Sequence, residues 1–454
     1  MSRIPRILLT APRSGTGKTM ITCGILQALK NREFRVAAFK CGPDYIDPMF
    51  HREVIGLDSY NLDTFLCGRE GVRHLLYKNG SKCDIAVIEG VMGYYDGLAG
   101  TSVESSAYDV ADTTETPAVL ILDCKGISVS IVPLIQGFLQ YRTDSRIAGV
   151  ILNRLSPMMY GRMKETIERE TSVKVYGYVP VIEDCMLESR YLGLKMPQEI
   201  ESLQLKLKNL GETLEQTLDL DGLVKLARTA PDLPDTSTSY LKKRYDGLRI
   251  GLAKDEAFCF MYQDNLDILE DRGVKLMPFS PVRDRHLPDR LDGLLFYGGY
   301  PELCAKDLCQ NQSIRLEIRQ ALEEGLPCMA ECGGFMYLQE SITAEDGKSY
   351  EMVGALKGKS FYTSSLKRFG YVTLSQGTAF GKKIDALPAH EFHYYDSTQC
   401  GQEFVAKKPL SERSWKCMVS TETILAGYPH IHYCGNLKVV EAFLDQCSRK
   451  EERK

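Results

Sequence analysis

A chain of 454 residues exceeds what one ordinary hydrophobic core supports, so two or three domains are expected. With 44% hydrophobic and 26% charged residues it reads as a soluble globular protein, and a formal net charge of -4 without any basic run excludes nucleic acid as its main partner. The 15 cysteines are scattered, with no C-x-x-C pair and no Cys/His cluster at zinc spacing, so they read as reduced thiols in the cytoplasm. The run MSRIPRILLTAP is too short for a signal peptide, and no apolar run approaches a membrane span.

In chain order, RILLTA predicts a buried strand that runs into APRSGTGKT, Ala11 to Thr19, and then into TMITCGILQALKNR, whose apolar residues recur at helical spacing. A strand, a turn with Gly15, Thr16 and Gly17, and a helix opening on Lys18 and Thr19 make an anion site. Backbone N–H groups and the helix dipole face the phosphates, Lys18 adds charge, and the Thr19 hydroxyl can ligate Mg²⁺. The usual first glycine of this loop is replaced by Pro12, which fits where φ lies near proline's fixed value. RVAAFK, DIAVIEG, PAVLILD, IAGVILN and VKVYGYVP follow as short apolar runs, which predicts a parallel sheet covered on both faces. Its ligands then belong at the carboxyl ends of the strands. There KCGPDYIDP offers Asp44 and Asp47, and DIAVIEGVMGYYDG offers Glu89 and, beyond it, Asp96. Each alone is an ordinary turn residue; beside Lys18 and Thr19 they form a metal–phosphate set.

From about residue 183 to 247 the pattern loosens. ESLQLKLKNLGETLEQTLDLDGLVKLA reads as helix, and RTAPDLPDTSTSYLKKRYDG as a linker. The expected domains are residues 1–230 and 248–447, joined by 231–247. In the second, LRIGLA, VKLMPFSP, GLLFYGG and LPCMAECGG predict another α/β unit. MAECGGFMYL places Cys332 between a strand and a helix-like segment, the arrangement of a nucleophile elbow that lowers a thiol's pKa. FYGGYPE offers N–H groups of Gly298, Gly299 and Tyr300, with Gly333 beyond the thiol, for an oxyanion hole. GYPHIHYCGN supplies His430 and His432 as candidate bases. HEFHY has His390 and His393 three apart, which does not match the spacing of a zinc-protease helix.

Nine runs in order, TAPRSGTGKT, FKCGPDYIDPMFH, IEGVMGYYDG, GVILNR, GYVP, GGYPE, AECGGFMYL, HEFHY and GYPHIHY, resemble the cobyrinic acid a,c-diamide synthase family over almost the whole chain. The resemblance implies an N-terminal P-loop NTPase-like domain similar to dethiobiotin synthetase and a C-terminal class I glutamine amidotransferase domain, both α/β. It implies ATP binding by Gly15, Thr16, Gly17, Lys18 and Thr19, adenine contact by Asn153, Mg²⁺ on Thr19, Asp47 and Glu89, and substrate contact by Asp44 and Tyr45. Cys332 would be the glutaminase nucleophile and His430 its base, with His432 or nothing in the slot of the usual third carboxylate. The implied reaction is ATP-dependent amidation of the a and c carboxylates of a corrinoid with ammonia from glutamine, through acyl phosphates, in cobalamin biosynthesis. The two sites would then have to pass ammonia between domains. Hydrogenobyrinic acid and nickel-sirohydrochlorin remain alternative substrates, a partition or septum-positioning ATPase switch is the more distant alternative, and a homodimer is left open.

Overall fold

A computed structural model describes residues 3–182, 197–233 and 245–449, and the chain divides into two units, Met1–Ser239 and Tyr240–Lys454. Of the expected linker, residues 234–244 lie outside the described residues, as do residues 183–196 of the loosened segment.

The first unit holds a seven-stranded, wholly parallel sheet: β1 (Arg6–Thr10), β2 (Val36–Cys41), β3 (Ser59–Leu62), β4 (Ile85–Glu89), β5 (Ala118–Asp123), β6 (Ile147–Asn153) and β7 (Lys174–Val179), in the order β3-β2-β4-β1-β5-β6-β7. β1, β2 and β4 are buried along their full length, as strands covered on both faces must be. Helices Lys18–Asn31, Thr64–Gly80, Ala107–Thr113, Ile131–Tyr141 and Pro157–Thr171 connect successive strands. Helices Pro197–Thr217 and Leu220–Ala227 return over the sheet, the former against Lys18–Asn31: a Cβ on Gly24 would come within 2.5 Å of Leu214. The single helix predicted over this stretch is thus two, restarted by Asp219, whose carboxylate caps the second. The sequence order reverses at β1, flanked by β4 and β5, so the loops after β1, β2 and β4 share one crevice.

The second unit contains two sheets. β8 (Arg249–Ala253), β9 (Lys275–Phe279), β10 (Gly293–Phe296) and β11 (Cys328–Glu331) are parallel and are joined by β19 (Ile424–Gly427), with β18 (Val419–Ser420) antiparallel at the edge. The other sheet comprises β12 (Ser341–Thr343), β13 (Ser349–Glu351), β14 (Lys359–Ala379), β15 (Lys382–Ser397) and β20 (His430–Ile431), with β16 (Phe404–Lys407) alongside β14 and β17 (Ser414–Cys417) alongside β16. β14 and β15 form a long hairpin with register shifts near Lys367. Leu252, Leu295, Met329, Leu425, Val372, Leu387 and Phe443 share one buried core that fastens both sheets and the C-terminal helix Leu437–Cys447. The described cysteines are free of disulfides, and no helix of the described residues is long and apolar enough to cross a membrane.

Candidate active site

Two constellations form at strand ends, one in each unit. In the first, Gly15 (φ 77°) and Gly17 (φ 93°) adopt left-handed backbone that turns the chain out of β1 and into helix Lys18–Asn31, with Gly17 as its N-cap. Asn153, ending β6, donates Nδ2–H to the Thr16 carbonyl at 2.7 Å, and a Cβ on Gly17 would come within 2.4 Å of that nitrogen. Asn153 thereby braces the loop itself, where the resemblance had implied an adenine contact. Lys18 Nζ donates to the carbonyls of Met92 (2.6 Å) and Arg13 (3.1 Å); burial and the charge of Lys40 pull its pKa down to about 8.

Thr19 Oγ1 donates to Glu89 Oε1 at 2.7 Å and lies 3.4 Å from Asp47 Oδ2. The expected metal set of Thr19, Asp47 and Glu89 is thus brought together from three strand ends. Asp44 accepts the N–H groups of Ile46 (2.8 Å) and Asp47 (3.1 Å), opening the short turn Ile46–Phe50 that presents Asp47 and leaving Tyr45 at its N-cap. Asp96 accepts the Gly93 N–H at 2.9 Å and adds negative charge beside Lys18.

Lys40, at the end of β2, was not foreseen. Its ammonium sits 2.5 Å from Asp47 Oδ2 and 2.7 Å from Glu89 Oε1, with both carboxylates buried. Burial opposes its charge, yet Asp47, Glu89 and Asp44 outweigh this and hold it well above the ordinary lysine value. The same lysine overcomes the burial of Asp47, whose pKa is lowered. Burial lifts Glu89 to about 7 despite Lys40, and burial with the charge of Asp47 lifts Asp44 to about 6. His51, likewise unforeseen, is held down to about 4 by burial, so it is neutral when its Nε2 stands 3.8 Å from Glu89 Oε2. The only sequence signal for Lys40 was a charged residue inside an otherwise apolar strand.

The donor set suits Mg²⁺. Its donors are hard oxygens, and Glu89 Oε2 is buried without a hydrogen-bond partner. Among the described residues no group of three or more His, Cys, Asp or Glu side chains could hold a metal alone. A cation here would therefore complete its shell with phosphate and water, as Mg²⁺ commonly does.

In the second unit Cys332 follows β11 with φ 46° and ψ -105° and caps helix Gly333–Leu338, a strained elbow. Its N–H donates to the Gly427 carbonyl at 2.7 Å, which draws β19, and with it the run to His430, over the thiol. His430 hydrogen-bonds Cys332; burial lowers its basicity, but Cys332 and Glu331 raise its pKa to about 10. Gly298 lies under the imidazole, where a Cβ would come within 2.5 Å of His430 Cε1. Gly299 and Gly333 stand side by side, since a Cβ on Gly333 would lie 3.2 Å from the Gly299 nitrogen. Cys332, His430, Gly298, Gly299 and Gly333 therefore converge. Tyr300 does not serve as expected: its N–H is already donated to the Ala257 carbonyl at 3.0 Å, so it is not a free oxyanion donor.

His432 lies elsewhere, its Nε2 3.6 Å from Asp264 Oδ2 and its ring against Tyr262. HEFHY occupies strand β15, not a helix. His390 pairs with His430 across the ladder, while His393 Nε2 meets Glu391 Oε2 at 2.9 Å and its ring stacks on Tyr428.

Residues 7–190 match the CobQ/CobB/MinD/ParA nucleotide binding domain, and residues 249–437 the CobB/CobQ-like glutamine amidotransferase domain. The chain is 39% identical over 446 residues to the cobyrinate a,c-diamide synthase of Caldanaerobacter subterraneus subsp. tengcongensis, covering 97% of this chain and 98% of that one. It is 40% identical over 439 residues to that of Listeria innocua serovar 6a, covering 95% and 97%, and 39% identical over 439 residues to that of Clostridium acetobutylicum, covering 95% and 98%. A nucleotide-binding parallel sheet and a glutamine amidotransferase unit in one polypeptide define an ATP-dependent, glutamine-using amidoligase. Within that class, the chain belongs to the cobyrinate a,c-diamide synthase family.

Proposed function

We propose that this enzyme converts the a and c carboxylates of cobyrinate to amides, using ammonia from glutamine and one ATP per amide. The observation that supports it most directly is the match, over 95% or more of the chain, to relatives bearing that name.

A carboxylate resists ammonia because its oxygen is a poor leaving group. The γ-phosphoryl group of ATP passes to the carboxylate oxygen, giving an acyl phosphate; ammonia then adds to the acyl carbon and phosphate departs. Lys18 and the N–H groups of Gly15 to Thr19 hold the phosphates, and Asn153 keeps that loop in shape. Thr19, Asp47 and Glu89 would hold Mg²⁺, which supplies charge neutralisation on the phosphoryl oxygens when bound. Lys40 fixes the two carboxylates, and Asp44 and Tyr45 stand at the same strand end, where the acyl-bearing substrate is met.

In the other unit, Cys332 as thiolate attacks the glutamine side-chain amide while the Gly299 and Gly333 N–H groups receive the oxyanion. Imidazolium His430 gives its proton to the departing ammonia, and the resulting thioester is hydrolysed by water that His430 deprotonates, releasing glutamate. Mass spectrometry after incubation with ATP, Mg²⁺, glutamine and one macrocycle at a time tests the substrate. Two amides on cobyrinate support the proposal. Two amides on hydrogenobyrinate or nickel-sirohydrochlorin, with none on cobyrinate, would replace its substrate and leave the amidoligase chemistry standing.

A further inference from the structure

An imidazole that serves a thiol in catalysis needs a partner on its second nitrogen, to fix its tautomer and to stabilise it when charged. His432, the residue two positions beyond the base, does not fill that place. Its Nδ1 accepts the Cys434 N–H at 3.4 Å and its Nε2 faces Asp264.

A different carboxylate does. Glu331 Oε2 lies 3.6 Å from His430 Nδ1, and both side chains are at most 4% exposed. Glu331 is the last residue of β11, adjacent in sequence to Cys332. In a regular strand two successive side chains point to opposite faces. The left-handed turn at Cys332 breaks that alternation, so Glu331 and Cys332 both reach one imidazole. Gly427, paired with Glu331 in the parallel ladder and bonded to the Cys332 N–H, positions the run that brings His430 to them.

We propose that Glu331 is the positioning carboxylate of the glutaminase site, orienting His430 through Nδ1 and stabilising its imidazolium so that Cys332 is held as thiolate. The proposal rests on the reading of Cys332 and His430 given above. With Nδ1 turned to Glu331, Nε2 is left for the thiol. Around His430 stand Cys332 from the elbow, Glu331 from β11, His390 from β15 and Gly298 after β10. Facing Glu331 are His430, the Ile431 N–H, His432, and the phenols of Tyr297 and Tyr433, which are hydrogen-bonded to each other at 2.8 Å. The pair is buried, where a carboxylate acts strongly on a neighbouring imidazolium. Glu331 Oε1 has no hydrogen-bond partner and burial raises its pKa, so its charge depends on the imidazolium in return.

The test compares E331Q, E331D, H432Q and C332A with the wild type in two assays: glutamine hydrolysis against pH, and the rate of Cys332 alkylation by iodoacetamide against pH, followed on its own peptide by mass spectrometry. In E331Q the rate at pH 7 falls about tenfold or more and climbs toward alkaline pH; kcat for glutamine falls at least as far, KM changes less than about threefold, and E331D recovers part of both. A profile for E331Q that superimposes on the wild type, or a shift seen in H432Q instead, overturns the proposal. If C332A still hydrolyses glutamine at the wild-type rate, the reading of the site itself falls and takes the proposal with it. If C332A is inactive while E331Q matches the wild type, only Glu331 is lost. Should E331Q fail to melt cooperatively, ¹⁵N spectra of the histidines in the wild type decide. A His430 protonated at Nδ1 through neutral pH supports the proposal, and titration near the ordinary value of about 6.5 contradicts it.

Discussion

Lys40 Nζ lies 2.7 Å from Glu89 Oε1, a buried cation bridging the carboxylate that also accepts from Thr19 and the Asp47 carboxylate beside it. Replacing Lys40 by Met removes the ammonium that pairs with both Asp47 and Glu89 and leaves two buried carboxylates without it. Removing one partner of such a buried pair costs about 3–5 kcal/mol. Chemical denaturation of K40M is expected to show a loss in that range, with a smaller loss when Glu89→Gln accompanies it. A cost below about 1 kcal/mol would mean that water reaches the cluster.

The carboxylates in this crevice make stability depend on pH in a defined direction. Glu89 is held at about 7 against 4.5 for the free side chain, and Asp44 at about 6 against 3.8. The folded state therefore binds more protons than the unfolded chain between these values, and stability falls as pH rises from about 4.5 to about 7. The Glu89 contribution is on the order of 3 kcal/mol. Asp47 and Lys40 move in the opposite sense but titrate outside this window, in acid and in strong base, whereas His51, held at about 4 against 6.5, opposes the fall up to about pH 6.5. The melting-temperature advantage of the wild type over E89Q, measured without nucleotide, is expected to shrink as pH rises from 5.5 to 8. An unchanged slope in E89Q would contradict this assignment.

Asn153→Ala removes the brace on the Thr16 carbonyl. A lost buried hydrogen bond of about 1–2 kcal/mol predicts a KM for ATP raised roughly tenfold, read in steady-state ATP turnover. Glutamine hydrolysis without ATP should not respond, because the Thr16 contact belongs to the first unit.

Gly298→Ala places a methyl where His430 Cε1 stands. The imidazole must move, and displacement of a catalytic group by about 1 Å costs roughly 10²-fold. Glutamine hydrolysis should fall by about that factor. Amidation supplied with ammonium salt serves as the comparison, since it bypasses the glutaminase site.

The parallel strands were legible because each is buried on both faces and so reads as a short apolar run. β3 was not: Ser59–Leu62 is four residues with polar members. The hairpin β14–β15 escaped because its residues alternate polar and apolar across register shifts, with Pro388 and several glycines breaking the pattern. Thr19, Asp47, Glu89, Cys332 and His430 could be proposed because their residue types sit beside glycines at strand ends. Lys40 and Glu331 could not, since a lone charge closing an apolar strand is indistinguishable from a cap until the fold supplies its neighbours. The resemblance offered His432 or nothing for the third position; in the structure His432 Nε2 stands 3.6 Å from Asp264, and it is Glu331 that stands 3.6 Å from His430 Nδ1.

The most direct measurement of the account follows nitrogen in a Cys332→Ala variant. With ATP, Mg²⁺ and cobyrinate, the variant receives either amide-¹⁵N glutamine or ¹⁵N ammonium, and the product is weighed by mass spectrometry. The account predicts no label from glutamine and two labelled amides from ammonium. Label from glutamine in the variant would contradict it, because the nitrogen would then leave glutamine without the Cys332 thiol.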